Sequence, residues 1–462
     1  MYEDLIISDD HNGTPGLRSW YGQLTKKISF VNIEFRKIVS INISLINLNI
    51  YFDNCTFCVD TEIRSVKNLE IRRCRFKTKT DLFIFDPGRF LFDHNTIYLD
   101  LSINGNKEEI RISNNFHNDE NGHIFIRSSI KHLWIKDCHF NYIDFDTNRC
   151  DRISILNSIV DYVKFEVGEY PRIFIRQCIF TQLYFNENLK DISLTISDKS
   201  IITFLVIYGE SISELYLTGC TLFRLQFEGA ANANQIYKIQ GVHCKSLDFW
   251  NYACQAKISF VDVTVEEFGT LSFINADMKE VQYINCKFSD AYLKFENSKI
   301  VEIFTAETDF PETVFTTDNF NKWSQAQLAF GQLANSYKSQ GDTVRYLDYQ
   351  ARELYAHMKK LKFKDDRAGY INLWANYWSN NFGRNWIRCL LITIGFALVS
   401  FYFLVISLKQ YCIGFPIHYD LNIVKAFFHF FNPIRSTETE KIFDPDGKKL
   451  FDLTFFSYAI DL

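Results

Sequence analysis

Apolar and polar residues alternate through most of the first 315 positions, in runs too short for helices and bounded by Asn, Asp, Lys and Glu. One phrase recurs: apolar residues on every second position, a small or thiol residue, then Phe or Ile. It reads "LEIRRCRF" to Phe76, "LWIKDCHF" to Phe140, "IFIRQCIF" to Phe180, "LYLTGCTL" to Leu222 and "VQYINCKF" to Phe288. Cys55, Cys74, Cys138, Cys178, Cys220 and Cys286 share its thiol slot, at separations close to multiples of about 21. A second phrase falls between the copies, as "YIDF" (142–145), "YVKF" (162–165), "RLQF" (224–227) and "YLKF" (292–295). Each unit therefore holds two short strands. A unit so short cannot bury its own apolar face, whereas stacked coils share one interior. The pattern predicts a mainly β chain, a β-solenoid of about 21 residues per coil over 20–315, behind an N-terminal segment 1–19. A propeller needs four strands per repeat, and a β-sandwich repeats no cysteine slot.

Beyond Phe315 the period changes to that of helices. Trp323, Leu328, Phe330, Leu333 and Tyr337 form one stripe, Gly341 breaks it, and Tyr346, Tyr349, Leu354 and Met358 form a second. This predicts a helical hairpin over 316–366 that covers the last coil. An aromatic stretch over 367–388 follows, whose Trp374, Trp378 and Trp386 suit the membrane interface. Residues 389–408 then run uncharged for long enough to cross a hydrocarbon core of about 30 Å. The transmembrane and pore region is expected over 389–462, with a short aromatic helix at 421–434 and a possible second span starting at the end of the sequence. Lys359, Lys360, Lys362, Lys364, Arg384 and Arg388 put the solenoid side in the cytoplasm. One or two spans enclose no aqueous path, so a channel requires a homo-oligomer, taken as a tetramer.

Composition narrows the chemistry. Fifty basic against 55 acidic residues exclude a globally basic nucleic-acid binder but not a local patch. Twelve cysteines without an apolar leader after Met1 read as reduced, packed thiols in a reducing compartment. Cys55 and Cys58 make one Cys-x-x-Cys pair with no partner set, so no metal and no cofactor is expected. Phosphate-loop, metalloprotease and hydrolase motifs are absent, leaving no catalytic residue to name. Paired carboxylates on a coil face, as in carbohydrate-cleaving solenoids, look like solvated turn residues in a sequence. One cluster stands out: Arg64, Arg72, Arg73, Arg75, Lys77 and Lys79. Alternation places Arg73, Arg75, Lys77 and Lys79 on one side, opposite Arg72, Cys74 and Phe76. A row of cations there suits a polyanion, with Trp20, Tyr21 and Phe90 near enough to stack on bases. The competing reading is a solvated edge that blocks strand pairing.

The thiol-slot coils, the connector "LANSYKSQGDTVRYLDYQARELYAHMKKLK" and the segment "GRNWIRCLLITIGFAL" together resemble bacterial membrane proteins in which a pentapeptide-like or β-helical domain precedes C-terminal spans. Among these the chain is similar to the DNA-gated channel effectors of Hailong-type anti-phage defence. The resemblance implies a bacterial inner-membrane location and an oligomeric pore controlled by the solenoid. It also implies a short single-stranded DNA ligand made by a partner nucleotidyltransferase. The alternatives are a membrane-tethered scaffold for protein partners and, third, a solenoid carbohydrate-active enzyme.

Overall fold

The computed structural model describes residues 5–8, 26–36, 39–42, 48–58, 61–64, 68–76, 82–85, 89–97, 101–104, 107–117, 123–127, 129–314 and 322–407. The expected aromatic segment 421–434 and the pore layout lie outside the described residues. Two units divide between Asp342 and Thr343.

The first unit is the β-solenoid, with all described strand pairings parallel and about 21 residues per turn. Leu5–Ser8 already pairs with Val39–Asn42, ahead of the expected start at residue 20. A coil is not two strands throughout. In the N-terminal coils it is three, as in Asn68–Arg72, the two-residue Arg75–Phe76, and Leu82–Phe85. Further along, the short strand and its successor merge, as in Ile179–Phe185. The two-residue strands were invisible as separate elements because two positions show no period.

What closes each turn is a backbone corner in the left-handed region. Asn32, Asn54, Arg73, His94, Asn114, Asp137, Asn157, Gln177, Lys199, Gly219, Gly241, Asp262, Asn285 and Glu307 all have φ of 46–64° and recur every 19–23 residues. Asn and Asp tolerate this region best among residues with a Cβ, and glycine carries no penalty there. Corner amides donate to carbonyls of the next coil, as Arg73 does to Asp93 at 3.0 Å.

The thiol slot follows each corner directly, and where it is not cysteine it holds Ile33, Asn95, Asn115, Ser158, Ser200, Val242, Val263 and Thr308. Its chemistry is hydrogen bonding. The Cys74 amide donates to Asn95 Oδ1 at 2.8 Å, that of Asn95 to Asn115 Oδ1 at 2.8 Å, and that of Cys138 to Ser158 Oγ at 3.2 Å. Asn or Ser in the slot satisfies a buried amide of the preceding coil, whereas Val242 and Val263, both buried, fill it by packing alone. Phenylalanines, by contrast, do stack: Phe145, Phe165 and Phe185 lie 4.5 and 4.9 Å apart with planes within 4°. Phe227, Phe249 and Phe273 repeat this at 5.1 and 5.0 Å.

Burial pushes the thiols of Cys138, Cys178, Cys220 and Cys286 up to about 11. At pH 8 only about one such thiol in a thousand is ionised, and none is reachable. Alkylation of the native chain at pH 8 is expected to spare these four and label the half-buried Cys58 first. Peptide mass spectrometry before and after urea checks this, and native labelling of Cys178 would contradict the packed slot.

The last coil is covered by helix α1 (Lys322–Ser339). Its buried stripe is Ala326, Ala329, Phe330, Leu333 and Tyr337, whereas Leu328, expected in the stripe, is exposed. Small alanines let the helix approach the sheet edge. Gln332 accepts from the Ile300 amide (2.9 Å) and donates to the Ser298 carbonyl (3.2 Å). Gln340 accepts from the Thr305 amide (2.9 Å), and Ser336 donates to the Ile303 carbonyl (2.5 Å). Side chains of the α1 segment thus satisfy the free edge of Lys299–Ala306, which would otherwise template pairing with another chain.

The second unit holds α2 (Thr343–Lys360), α3 (Arg367–Asn380) and α4 (Trp386–Ser407). Ala351 and Met358 of α2 pack with Phe382 and with Leu373 and Tyr377 of α3.

Candidate polyanion-binding face and membrane segment

The basic cluster singled out in the sequence folds differently from its alternation. Arg73 occupies a left-handed corner (φ 53°), which resets the period. Arg72, Arg73 and Arg75 are therefore all exposed, and Arg72 does not point inward with Cys74 and Phe76. Two of these charges are already paired. Arg72 bonds Glu70, two positions back on the same strand face. Arg73 grips Asp53 of the preceding coil with two nitrogens, Nε lying 2.8 Å from Oδ1. Arg75, in register with Thr56 and Thr96, has no carboxylate partner among the described residues. The backbone of Arg64 ends the strand Thr61–Arg64. Lys77, Lys79, Trp20 and Tyr21 lie outside the described residues, and Phe90 is in the core at 1% exposure, unable to meet a base.

A different arrangement of cations and rings lies on the strands that precede the corners. Register puts Arg89, Glu109, His132 and Arg152 in one row along the solenoid axis. The neighbouring row is Leu91, Arg111, Trp134, Ser154 and Phe174. Neighbouring parallel strands lie about 4.8 Å apart, so each coil adds one residue to each row at that interval. Ser154 is small and 2% exposed, leaving a gap between the two rings. The Arg152 guanidinium fills it, with Cζ 4.8 Å from the Phe174 centroid and 5.7 Å from that of Trp134.

Most cations near this face have partners: Arg111 with Glu109 at 2.6 Å, Lys136 with Asp137 at 3.5 Å, and Arg176 with Asp198. Arg89, Arg152 and the exposed Arg172 have no carboxylate partner among the described residues. Arg89 and Arg111 also line an open groove with Tyr51, Asn68, Glu70 and Leu91. Chemically, the face offers guanidinium donors for phosphate oxygens beside aromatic planes for unpaired bases. Sequence reasoning missed it, although a signal exists. His132, Arg152 and Arg172, and likewise Trp134, Ser154 and Phe174, recur every 20 residues, one coil apart.

In the second unit, α4 is 22 residues long, about 33 Å at the helical rise, and begins at Trp386 rather than Cys389. The window Trp386–Phe403 has a mean hydropathy of 1.8 and is 6% buried, unlike the core helix of a soluble protein. By length and composition it suits a membrane anchor. Asn385 caps it, accepting from the Arg388 amide at 2.9 Å. Asn381 and Phe382, both left-handed, and Gly383 (φ 90°) form an elbow after α3. Across the elbow, Arg388 lies over Trp378 at 5.3 Å, and Trp374 lies 5.9 Å from Trp378. Trp374, Trp378 and Trp386 are 49, 52 and 72% exposed. Asp348 of α2 holds the elbow through Arg384 and also accepts from Arg352 at 3.0 Å.

No protein-family model, no curated protein and no solved structure matches this chain. Fold and chemistry define its class: a β-solenoid carrying an apolar C-terminal helix fit for membrane anchoring.

Proposed function

We propose that the chain is the sensor and anchor of an oligomeric membrane channel gated by a polyanion such as short single-stranded DNA. The resemblance to Hailong-type effectors supports a role for such a channel in anti-phage defence. The observation that carries this reading is the Trp134–Arg152–Phe174 stack, with Arg172 one coil on and Arg89 further along the same row, on a chain that also carries a 22-residue apolar helix. The ligand shifts the pore only by binding its open and closed assemblies with different affinity, and neighbouring subunits are the simplest elements for it to bridge. Full-length protein in liposomes is expected to pass ions, with flux changed by a short oligodeoxythymidylate and the change suppressed by salt. Properly inserted protein that leaks no ions with or without the oligonucleotide would refute the channel.

One observation favours a second reading, a tethered scaffold. Ile159, Ile179 and Ile201 stand in register on the outer surface, 41, 44 and 47% exposed, with Phe204 and Phe223 close by. An exposed row of isoleucines of this kind suits a protein partner. Leak-free liposomes combined with retained partner capture would select it.

A further inference from the structure

We infer that the segment from Lys359 to Arg367, together with α3, forms a binding collar for acidic phospholipid headgroups. The inference rests on α4 lying in a bilayer, and it adds a ligand that the gating proposal does not require.

The sequence places Lys359, Lys360, Lys362, Lys364 and Arg367 within nine residues, ahead of α3. Two carboxylates interrupt them, and one is already committed: Asp366 caps α3, accepting from the Gly369 amide at 2.8 Å. The four lysines are exposed. Two cations of the segment lie over rings, Lys359 over Tyr355 at 5.3 Å and Arg367 over Phe363 at 6.0 Å. Phe363 itself is 49% exposed. Cations on aromatic rings are a pattern suited to a headgroup layer, where the ring enters the acyl boundary and the charge stays with phosphate.

Helix α3 fixes the depth. Leu373 and Tyr377 pack toward α2, while Ile371, Trp374 and Trp378 form the exposed stripe at positions i, i+3 and i+7. The Trp378–Arg388 contact ties that stripe to the first turn of α4. If α4 spans, its first turn lies at the water boundary, and so does the outward stripe of α3. The basic segment enters α3 directly and is confined near that plane. Clustered Lys and Arg beside a span attract an anionic leaflet in a salt-dependent way. The charge is complementary to acidic lipid and offers nothing to a zwitterionic one.

The test uses the full-length chain in nanodiscs with either brominated phosphatidylglycerol or brominated phosphatidylcholine at equal mole fraction, read by tryptophan quenching. Quenching by the acidic lipid is expected to exceed that by the neutral one at least twofold, and 0.5 M salt to abolish the difference. The variant K360Q/K362Q/K364Q/R367Q should lose the preference, and the three-arginine replacement of the lysines should keep it. Trp374→Phe with Trp378→Phe should lower the quenching to the share carried by Trp386 at the start of α4 while the chain stays in the disc. Equal quenching by both lipids, or a preference surviving the glutamine variant, overturns the collar and leaves the span standing. No quenching by either lipid shows that α4 is not in the bilayer and removes the foundation as well.

Discussion

Replacing Gly168 by alanine is expected to lower the unfolding free energy by about 3–5 kcal/mol, the added methyl meeting the closest clash among the described glycines. Gly168 has φ of 140°, a region almost closed to residues with a Cβ. A Cβ there would meet the Thr147 carbonyl oxygen at 1.8 Å, and a backbone atom cannot swing aside. The site is a built irregularity. The ladder between His139–Leu156 and Ile159–Glu169 slips at Asp146, leaving extra residues to accommodate. Tyr170 anchors them from inside the core, its hydroxyl 2.9 Å from the carbonyls of both Phe145 and Val167 and sharing its one proton between them. Its ring packs edge-on against Phe165 at 5.2 Å, so a shift of this loop disturbs the phenylalanine stack. Gly219→Ala is the control. Gly219 is also left-handed (φ 61°), but nothing lies within 4 Å of an added Cβ, so a cost of about 1–2 kcal/mol is expected. Urea unfolding of the two variants followed by circular dichroism compares them directly. Equal destabilisation would show that the Thr147 clash is relieved without cost.

The second large effect is on ligand binding. Trp134→Ala combined with Arg152→Ala is expected to weaken binding of a short oligodeoxythymidylate by about 10–100-fold, from one lost stacking plane and one lost phosphate donor. The logarithmic salt slope should also become shallower by about 0.7 for the cation removed. Arg73→Ala is the informative contrast: its guanidinium is occupied by Asp53, so a change of less than about threefold is expected. Fluorescence anisotropy at two salt concentrations measures both. An unchanged affinity in the Trp134/Arg152 variant would exclude this face, and a larger loss in Arg73→Ala would return the site to the corner cluster. Both substitutions lie on the surface, over Ser154 and away from the corner ladder, so the fold has little reason to change.

Much of the fold is legible in the order of residues along the chain. A thiol or small residue two positions ahead of Phe, recurring at multiples of about 21, can be satisfied only by stacked coils, and the stacking of Phe57, which follows Cys55, on Phe76, which follows Cys74, at 4.7 Å is that regularity in space. The uncharged run 389–408 was equally plain, because bilayer thickness acts on composition alone. The candidate site was less so. Strand alternation ranks Arg73 with Arg75, but a single left-handed corner turns both Arg72 and Arg73 outward. Local pattern carries no trace of Asp53, twenty residues earlier, reaching Arg73.

Sequence alone therefore determined the repeat, its period, the core positions and the apolar segment, since each is a one-dimensional consequence of burying every second side chain or of a long run without charge. Tertiary structure alone decided which cations are neutralised and which face rings. Charge pairing and ring stacking depend on the register between neighbouring coils, and one residue inserted or removed at a corner reassigns every lateral partner.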